Sequence, residues 1–544
     1  MLQEPAVGNA FFGREEVLGV LRKRVNALKG GYRQNLALTG QMLSGKSSIL
    51  HQFLRGLNDP AFIPVYVEVL NEPFRAFADR FAATLLHNYL VFCGRESGKD
   101  LAFLTEASQE LIPHTVYAVK EVRSLILKRR YNDAYRKLLN LTSILKEETG
   151  KSCIVILDEF HNLEKFRVKR PYLHFGKIMM IQKNTMYIVS SSQKNAIKKI
   201  LSEKLALLFG NFEVVEISGF DARTSRAFLA EKFQTLAVPA IYTDYLIDFT
   251  DGNPFYLDVI SRKITELANM QRITSIDEAI VIDAFTELLH STSGTINQYF
   301  MNTIMNLLEK GIRDECVDIL VALSCGRNRL AEVASWFNKK APSGYASKIS
   351  RLIEADLVYK NGVFYEIQDK VFEFWLRNVS HKKKAYLVDN PDERREDFRS
   401  AVRQDIACFL EENKRDPGER IKELFSLFGG ETVEIGKKKR RLPRFIKIEV
   451  TKYPEREDML NYQKPDRYWM CEIRRKKIDE PSMADFISRY PSAKENITKR
   501  VCVALGGIDP NALLLAKEKK VWVWGLDSVN QMMRLYRRHN LVRQ

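Results

Sequence analysis

The sequence predicts an α/β chain: a parallel sheet with a phosphate-binding loop comes first, then short helices and a hairpin, then a second α/β domain. Three observations predict it. The stretch Asn35 to Leu50, NLALTGQMLSGKSSIL, reads as a buried strand, a glycine loop and a helix. The stretch Lys151 to Leu163, KSCIVILDEFHNL, reads as a strand apolar on both faces and closed by two acids. A chain of 544 residues is too long for a single core, so about three or four domains are expected.

The first stretch carries chemistry in its spacing. Gly40, four residues (Gln41, Met42, Leu43, Ser44), then Gly45, Lys46 and Ser47 form the P-loop pattern. The glycines let backbone N–H groups converge on phosphate oxygens, which the following helix N-terminus, with Ser48 in its first turn, also favours. Lys46 adds a point charge at the β and γ phosphates, and Ser47 offers a hydroxyl to Mg²⁺. A glycine-rich surface loop is the bland alternative, and the flanking strand and the apolar helix residues Ile49, Leu50, Phe53 and Leu54 oppose it. The second stretch follows about 110 residues later. A parallel sheet brings both strand ends to one edge. Asp158 is then placed to hold Mg²⁺ through water and Glu159 to polarise the attacking water.

Composition narrows the remaining classes. Lys and Arg number 85 against 68 Asp and Glu, a net charge of +17, which favours contact with polyanions, although a basic surface also serves solubility. Seven cysteines are scattered with no CxxC spacing, which argues against a zinc knuckle or a disulfide framework and fits a reducing cytoplasm. No apolar run reaches the roughly 18 residues of a membrane span, and no signal peptide is read at the N-terminus.

In chain order, residues 11 to 29 carry a helical period after Phe12-Gly13-Arg14, and Phe62 to Val69 is a second strand. Residues 74–148 are a helical insert with no chemical motif, expected to be structural. Strand Met186 to Val189 ends in Ser190-Ser191-Ser192-Gln193, and strand Glu213 to Ile217 precedes a helix capped by Asp221 or Thr224. Asp251-Gly252-Asn253-Pro254 sets a rigid turn at a helix start.

Taken together, FFGRE, GQMLSGKSS, ILDEFHNL, YIVSSSQ and GNPFYL resemble the archaeal-type ATPase family of the STAND class, AAA+-like molecules related to the origin-recognition ATPases. The resemblance covers roughly residues 10 to 280 and, through a winged helix, about 380. It implies an ATP-driven switch whose lid closes on ATP. Phe12, Gly13 and Arg14 would lie against the adenine, Ser191 or Ser192 would act as sensor 1, and Pro254 would mark where the lid meets the nucleotide. No arginine finger is identified; Arg167 and Arg170 are candidates, and a homo-oligomer is the alternative source.

The implied domains are an ATPase core over 1–220, a helical lid over 221–305, a winged helix over 306–380, a linker over 381–400 and a C-terminal domain over 401–544. In the winged helix three helices precede a hairpin turning at Asn361-Gly362, and Lys348 and Arg351 on the third helix are suited to phosphate or major-groove contact. Docking to protein is the other use of such a module. The basic run Lys437 to Arg441 reads as a solvated turn before a strand over Arg444 to Val450.

The C-terminal hairpin EREDMLNYQKPDRYWMCEIRRKKI places Asp458 on one strand and Glu472 and Arg474 on the next. It resembles restriction-endonuclease-like PD-(D/E)XK domains, which implies Asp458 and Glu472 as ligands of a divalent metal. Arg474 stands where that family has lysine, and an arginine stays protonated and cannot be tuned in the same way; it becomes a DNA-contact candidate. The leading expectation is a cytoplasmic ATP·Mg²⁺ switch coupled to nucleic acid, DNA first. The alternatives are a non-enzymatic scaffold with ATP as latch, and an ATP-dependent DNA nuclease.

Overall fold

The computed structural model describes residues 4–96, 98–205, 210–307, 311–337, 343–382, 390–436, 438–491 and 496–541. The chain divides into two units, Met1–Gly219 with Asn253–Phe255, and Phe220–Gly252 with Tyr256–Gln544.

In the first unit the strands are β1 (Asn35–Gly40), β2 (Phe62–Glu68), β3 (Ser152–Asp158), β4 (Thr185–Ser191) and β5 (Phe212–Ile217). They lie in the order β2-β3-β4-β1-β5, every neighbouring pair parallel. Side chains alternate across a strand, so one sequence serves two cores. Leu36, Leu38, Ile154 and Ile156 pack with Leu18, Leu21 and Val25 of helix Glu15–Lys29 and with Ile49, Leu50 and Phe53 of helix Lys46–Arg55. Ala37, Cys153, Val155 and Leu157 point the other way, into the insert, where Phe77, Phe81, Leu85, Tyr135 and Leu138 are buried. The insert is therefore structural in a definite sense, because its helices Phe74–Phe92, Pro113–Leu127 and Tyr131–Thr149 cover the second face of the sheet.

The second unit begins with helices Ala222–Lys232 and Ala240–Thr250; Asp221, not Thr224, is the cap, accepting from the Thr224 N–H at 2.7 Å. Helices Arg313–Ser324, Leu330–Trp336 and Ser343–Glu354 precede the antiparallel pair β6 (Val358–Asn361) and β7 (Phe364–Ile367). The turn of this hairpin does not stand free. The Asn361 Nδ2 donates to the Glu434 carbonyl at 3.0 Å. Gly362, at φ 61°, sits so close to Thr432 that a Cβ would fall 1.7 Å from its carbonyl oxygen, so only glycine fits.

Two expectations need correcting here. Residues 391–400, read as linker from their charge and Pro391, open a helix over Pro391–Lys414: proline occupies the first turn and Asn390 caps it, accepting from the Glu393 N–H at 3.3 Å. Residues 383–389 lie outside the described residues. The basic run is no turn, because β8 (Thr432–Ile435) pairs antiparallel with β9 (Lys438–Arg441) and buries Val433 and Ile435; Lys437 lies outside the described residues.

A second five-stranded sheet runs β10 (Lys447–Lys452), β11 (Arg456–Lys464), β12 (Arg467–Arg474), β13 (Ile497–Ala504) and β14 (Trp522–Gly525), in that spatial order. The first three are antiparallel and the last three parallel. Trp469, Cys471, Val501 and Val503 face helices Pro417–Ser426 and Leu526–Leu535, while Met470, Cys502 and Ala504 face helices Glu480–Arg489 and Pro510–Glu518. All seven cysteines are free. No helix among the described residues is long and apolar enough to cross a membrane.

Candidate functional site

The end of β1 and the end of β3 meet. β1 stops at Gly40, where a Cβ would lie 2.4 Å from the Ile217 carbonyl oxygen and 2.8 Å from Ser44 Oγ. The loop turns back at Leu43 (φ 63°) and Gly45 (φ 92°), and the helix starts at Lys46. A Cβ on Gly45 would lie 3.8 Å from the ring of Pro254. Met42 is exposed at the loop tip and Ser44 is buried, its hydroxyl without a hydrogen-bond partner. Lys46 is buried, and its ammonium donates to the carbonyls of Gly40 (3.1 Å) and Gln41 (2.8 Å), folding over the mouth of its own loop.

Across the sheet edge, Asp158 collects hydroxyls. Ser47 Oγ donates to its Oδ2 at 2.7 Å, Tyr66 to the same oxygen at 2.9 Å, and Ser190 to Oδ1. Glu159, at φ 51°, turns its carboxylate towards β4, where Oε2 accepts from the Ser192 N–H at 3.0 Å and hydroxyl at 2.9 Å. His161 Nδ1 lies 3.0 Å from Ser191 Oγ and 3.3 Å from Glu159 Oε2. Burial pushes the Glu159 carboxyl above the ordinary range, with Lys46 pulling against it, and burial pushes Lys46 below its own, with Glu159 and Asp158 opposing. Burial, aided by Lys165 and Lys46, depresses His161 to about 4, so its imidazole is neutral near pH 7. Tyr66 is raised by burial and then by Asp158.

Ser47, Asp158, Glu159, Ser191 and Ser192, all expected from the sequence, are brought together by the fold. Tyr66, Ser190 and His161 join them without carrying a motif. Tyr66 becomes visible only through the register that sets Glu68 beside Asp158. At the rim, Arg14 takes a left-handed backbone conformation (φ 68°) and donates to the carbonyls of Ser218 (2.5 Å) and Ser44 (3.3 Å), tying the Phe12-Gly13-Arg14 segment to the loop. Ser48 Oγ accepts from the Ala6 N–H at 3.0 Å. Arg167 and Arg170 are exposed. The donor set suits magnesium, since Ser47 and Asp158 offer hard oxygens only, and the buried Ser44 hydroxyl and the Lys46 ammonium are donors suited to an anion's oxygens.

A parallel sheet whose glycine loop and acidic strand end share a hydrogen bond is the arrangement of a P-loop ATPase. Residues 11–260 match the model of a family described as an ATPase domain predominantly from Archaea. No curated protein matches the chain. Among solved structures it is similar to a Walker-type ATPase of Pyrococcus abyssi, at 18% identity and TM-score 0.47, covering 69% of this chain and 99% of that one. The ORC2 protein of Aeropyrum pernix, solved as ADPNP-ADP complexes, is similar at 12% identity and TM-score 0.43, covering 75% and 98%. The ORC1 protein of the same organism, solved with DNA, is similar at 15% identity and TM-score 0.39, covering 70% and 96%.

The other expected metal pair has a different fate. Asp458 and Glu472 face each other across β11 and β12, but arginines fill the space between them. Arg489 Nη1 donates to Asp458 Oδ2 at 3.1 Å and Nη2 to Glu472 Oε2; Arg474 Nε donates to Glu472 Oε1 at 2.5 Å. Tyr490 donates to Asp458 at 2.8 Å, and Arg456 Nε stands 3.5 Å from its other oxygen. Among the described residues no group of three His, Cys, Asp or Glu side chains is placed to hold a metal. Beside Asp458 and Glu472 it is guanidinium groups that supply the positive charge. Arg474 is held inside this cluster. Lys348 pairs with Glu315, while Arg351 stays exposed on the third helix.

Proposed function

We propose that the chain is an ATP-driven switch of the STAND and AAA+ type, acting in the cytoplasm, that binds ATP with Mg²⁺ in the first unit and couples nucleotide state to a nucleic acid, DNA first, held by the second. The observation that carries the nucleotide half is the hydrogen bond from Ser47 to Asp158, which joins loop and acidic strand end across 111 residues. Lys46 leaves the Gly40 and Gln41 carbonyls and turns its charge to the phosphates, with the Ser44 hydroxyl and the loop N–H groups beside it. Ser47 and Asp158 would hold Mg²⁺, which when bound spreads positive charge over the phosphate oxygens. Glu159 takes the proton of the attacking water on its carboxylate, while Ser192 and the neutral His161 fix its orientation. Phe12, Gly13, Arg14 and Pro254 border the nucleotide, and Arg167 or Arg170 of a second copy is available as an arginine finger.

The test is an ATP titration with Mg²⁺ on the wild type and on Lys46→Ala. Loss of a charge-assisted contact predicts affinity weaker by roughly 10- to 150-fold. Unchanged affinity overturns the site. A second reading, an assembly scaffold with ATP as latch, is favoured by the winged-helix-like segment, whose hairpin turn is docked on β8 and whose Lys348 is paired. Steep loss of DNA affinity with salt would exclude the scaffold, because phosphate contacts release counterions.

A further inference from the structure

The basic strand β9 and a tryptophan on the neighbouring sheet form an arrangement that the ATPase site does not use. Lys438, Lys439 and Arg441 are exposed, while Val433, Ile435 and Leu442 anchor the ribbon below them. Arg440, half-buried between these exposed cations, sets its guanidinium 4.2 Å from the centroid of the Trp522 ring. Lys499 of β13 brings its ammonium to 4.4 Å from the same centroid. The ring is held in place by Trp469, which pairs with Lys499 in register and packs edge-on at 5.2 Å. Exposed Lys519 and Lys520 lead into β14 just before Trp522.

Lys439 faces Glu434 in register and Lys519 pairs with Glu518 at 2.7 Å, but the two cations at the Trp522 ring are different. Elsewhere in the same unit arginines brought together face carboxylates, as Arg474 and Arg489 do. Arg440 and Lys499 make no ion pair among the described residues. Burial holds both below their ordinary range, and Arg440 repels Lys499 further, with no carboxylate countering either effect. Two cations at one indole each gain from its electron-rich π system but repel each other. An anion between them removes that repulsion. Strand alternation puts Lys438 on the face of Arg440 and sends Lys439 and Arg441 to the other face, so Arg440, Lys438 and Lys499 are the adjacent cations a phosphodiester backbone can use.

We propose that Arg440 and Lys499 at Trp522, with Lys438 on the same face of β9, form a phosphate-binding surface that holds the backbone of a nucleic acid. The proposal rests on the reading above that nucleic acid is the partner, and it moves the contact from Lys348, Arg351 and Arg474 to this face. The backbone is held through phosphate, without base readout, so affinity depends on salt more than on sequence.

The experiment measures fluorescence anisotropy of labelled duplex DNA with the full chain over about 50 to 200 mM NaCl. Wild type is compared with Arg440→Gln/Lys499→Gln and with Lys348→Gln/Arg351→Gln. The first variant is expected to bind at least about tenfold more weakly and to lose ~0.9 of the log–log salt slope for each phosphate contact removed. Its melting temperature and its DNA-free ATPase rate should match wild type, which shows that the chain is folded. Wild-type affinity and slope in that variant, with loss in Lys348→Gln/Arg351→Gln instead, overturn this surface and leave nucleic-acid coupling standing. No DNA binding by wild type overturns both. Binding to vesicles of phosphatidylserine but not to DNA, lost in the first variant, would assign the surface to lipid phosphate and overturn the proposal.

Discussion

Asp158 with Glu159 at the end of one five-stranded sheet and Asp458 with Glu472 within the other are acidic pairs set in opposite surroundings. Around Asp158 the neighbours are hydroxyls, Ser47, Ser190 and Tyr66, which share their protons without cancelling the charge. Around Asp458 and Glu472 the neighbours are Arg456, Arg474 and Arg489, which cancel it. Hydroxyls can be redirected to a cation arriving from solution. Arginines cannot be displaced without stranding charge in a site where the Glu472 side chain is 0% exposed. Carboxylates alone thus do not define a metal site; what else their oxygens touch decides it.

The difference can be broken or sharpened by experiment. Its largest consequence is kinetic: Glu159→Gln should keep ATP binding and lose about 10²- to 10⁴-fold in steady-state turnover, whereas Glu472→Gln should leave the ATPase rate unchanged. Next comes stability. Glu472→Ala removes the buried carboxylate shared by Arg474 and Arg489, which keep Asp485 and, for Arg489, Asp458, and should cost about 1–3 kcal/mol in denaturant unfolding, while Asp158→Asn, still hydrogen-bonded, should stay within about 1 kcal/mol. Titration with Mn²⁺ followed by electron paramagnetic resonance should show one nucleotide-dependent site, removed by Asp158→Ala and untouched by Glu472→Ala. A second site sensitive to Glu472 would erase the distinction.

The smallest effect uses a third buried carboxylate. Burial alone would raise the Asp248 carboxyl, but Lys370 and His539 pull it well below its ordinary range; Lys370 Nζ and His539 Nδ1 both lie 2.9 Å from it. Burial would lower His539, yet Asp248, Asp405 and Glu412 raise it above 6.5. A folded-state value above the unfolded one stabilises the fold fully below about pH 6.5, and this is lost as pH rises through the raised value. Melting curves between about pH 6 and 9 should therefore fall at the alkaline end, less so in His539→Gln, whereas the arginine pairs hold their charge throughout.

The ATPase site was largely legible because its chemistry is local: glycine spacing, a lysine, and a run of apolar residues ending in acids. Tyr66 and Ser190 were not, since they reach Asp158 only through strand register. In the C-terminal domain the alternation of strand side chains put Glu472 and Arg474 on one face and the hairpin register sets Asp458 opposite Glu472, but nothing pointed to Arg489, which arrives at the end of helix Glu480–Arg489 with no spacing rule to announce it. The misread linker is a different failure. Asn390 and Pro391 are the cap and first residue of a helix, a signal present in the sequence but outweighed there by charge.

The bond between His539 and Asp248 joins residues 291 positions apart, and Arg534 reaches Asp251 over 283. At about 5–20 residues per second, a ribosome that has placed Asp248 needs roughly 15–60 s more to deliver that histidine. Through that interval the helix Ala240–Thr250 carries a carboxylate that has Lys370 within reach but still waits for His539, so its second partner is fixed only once residue 539 has been made.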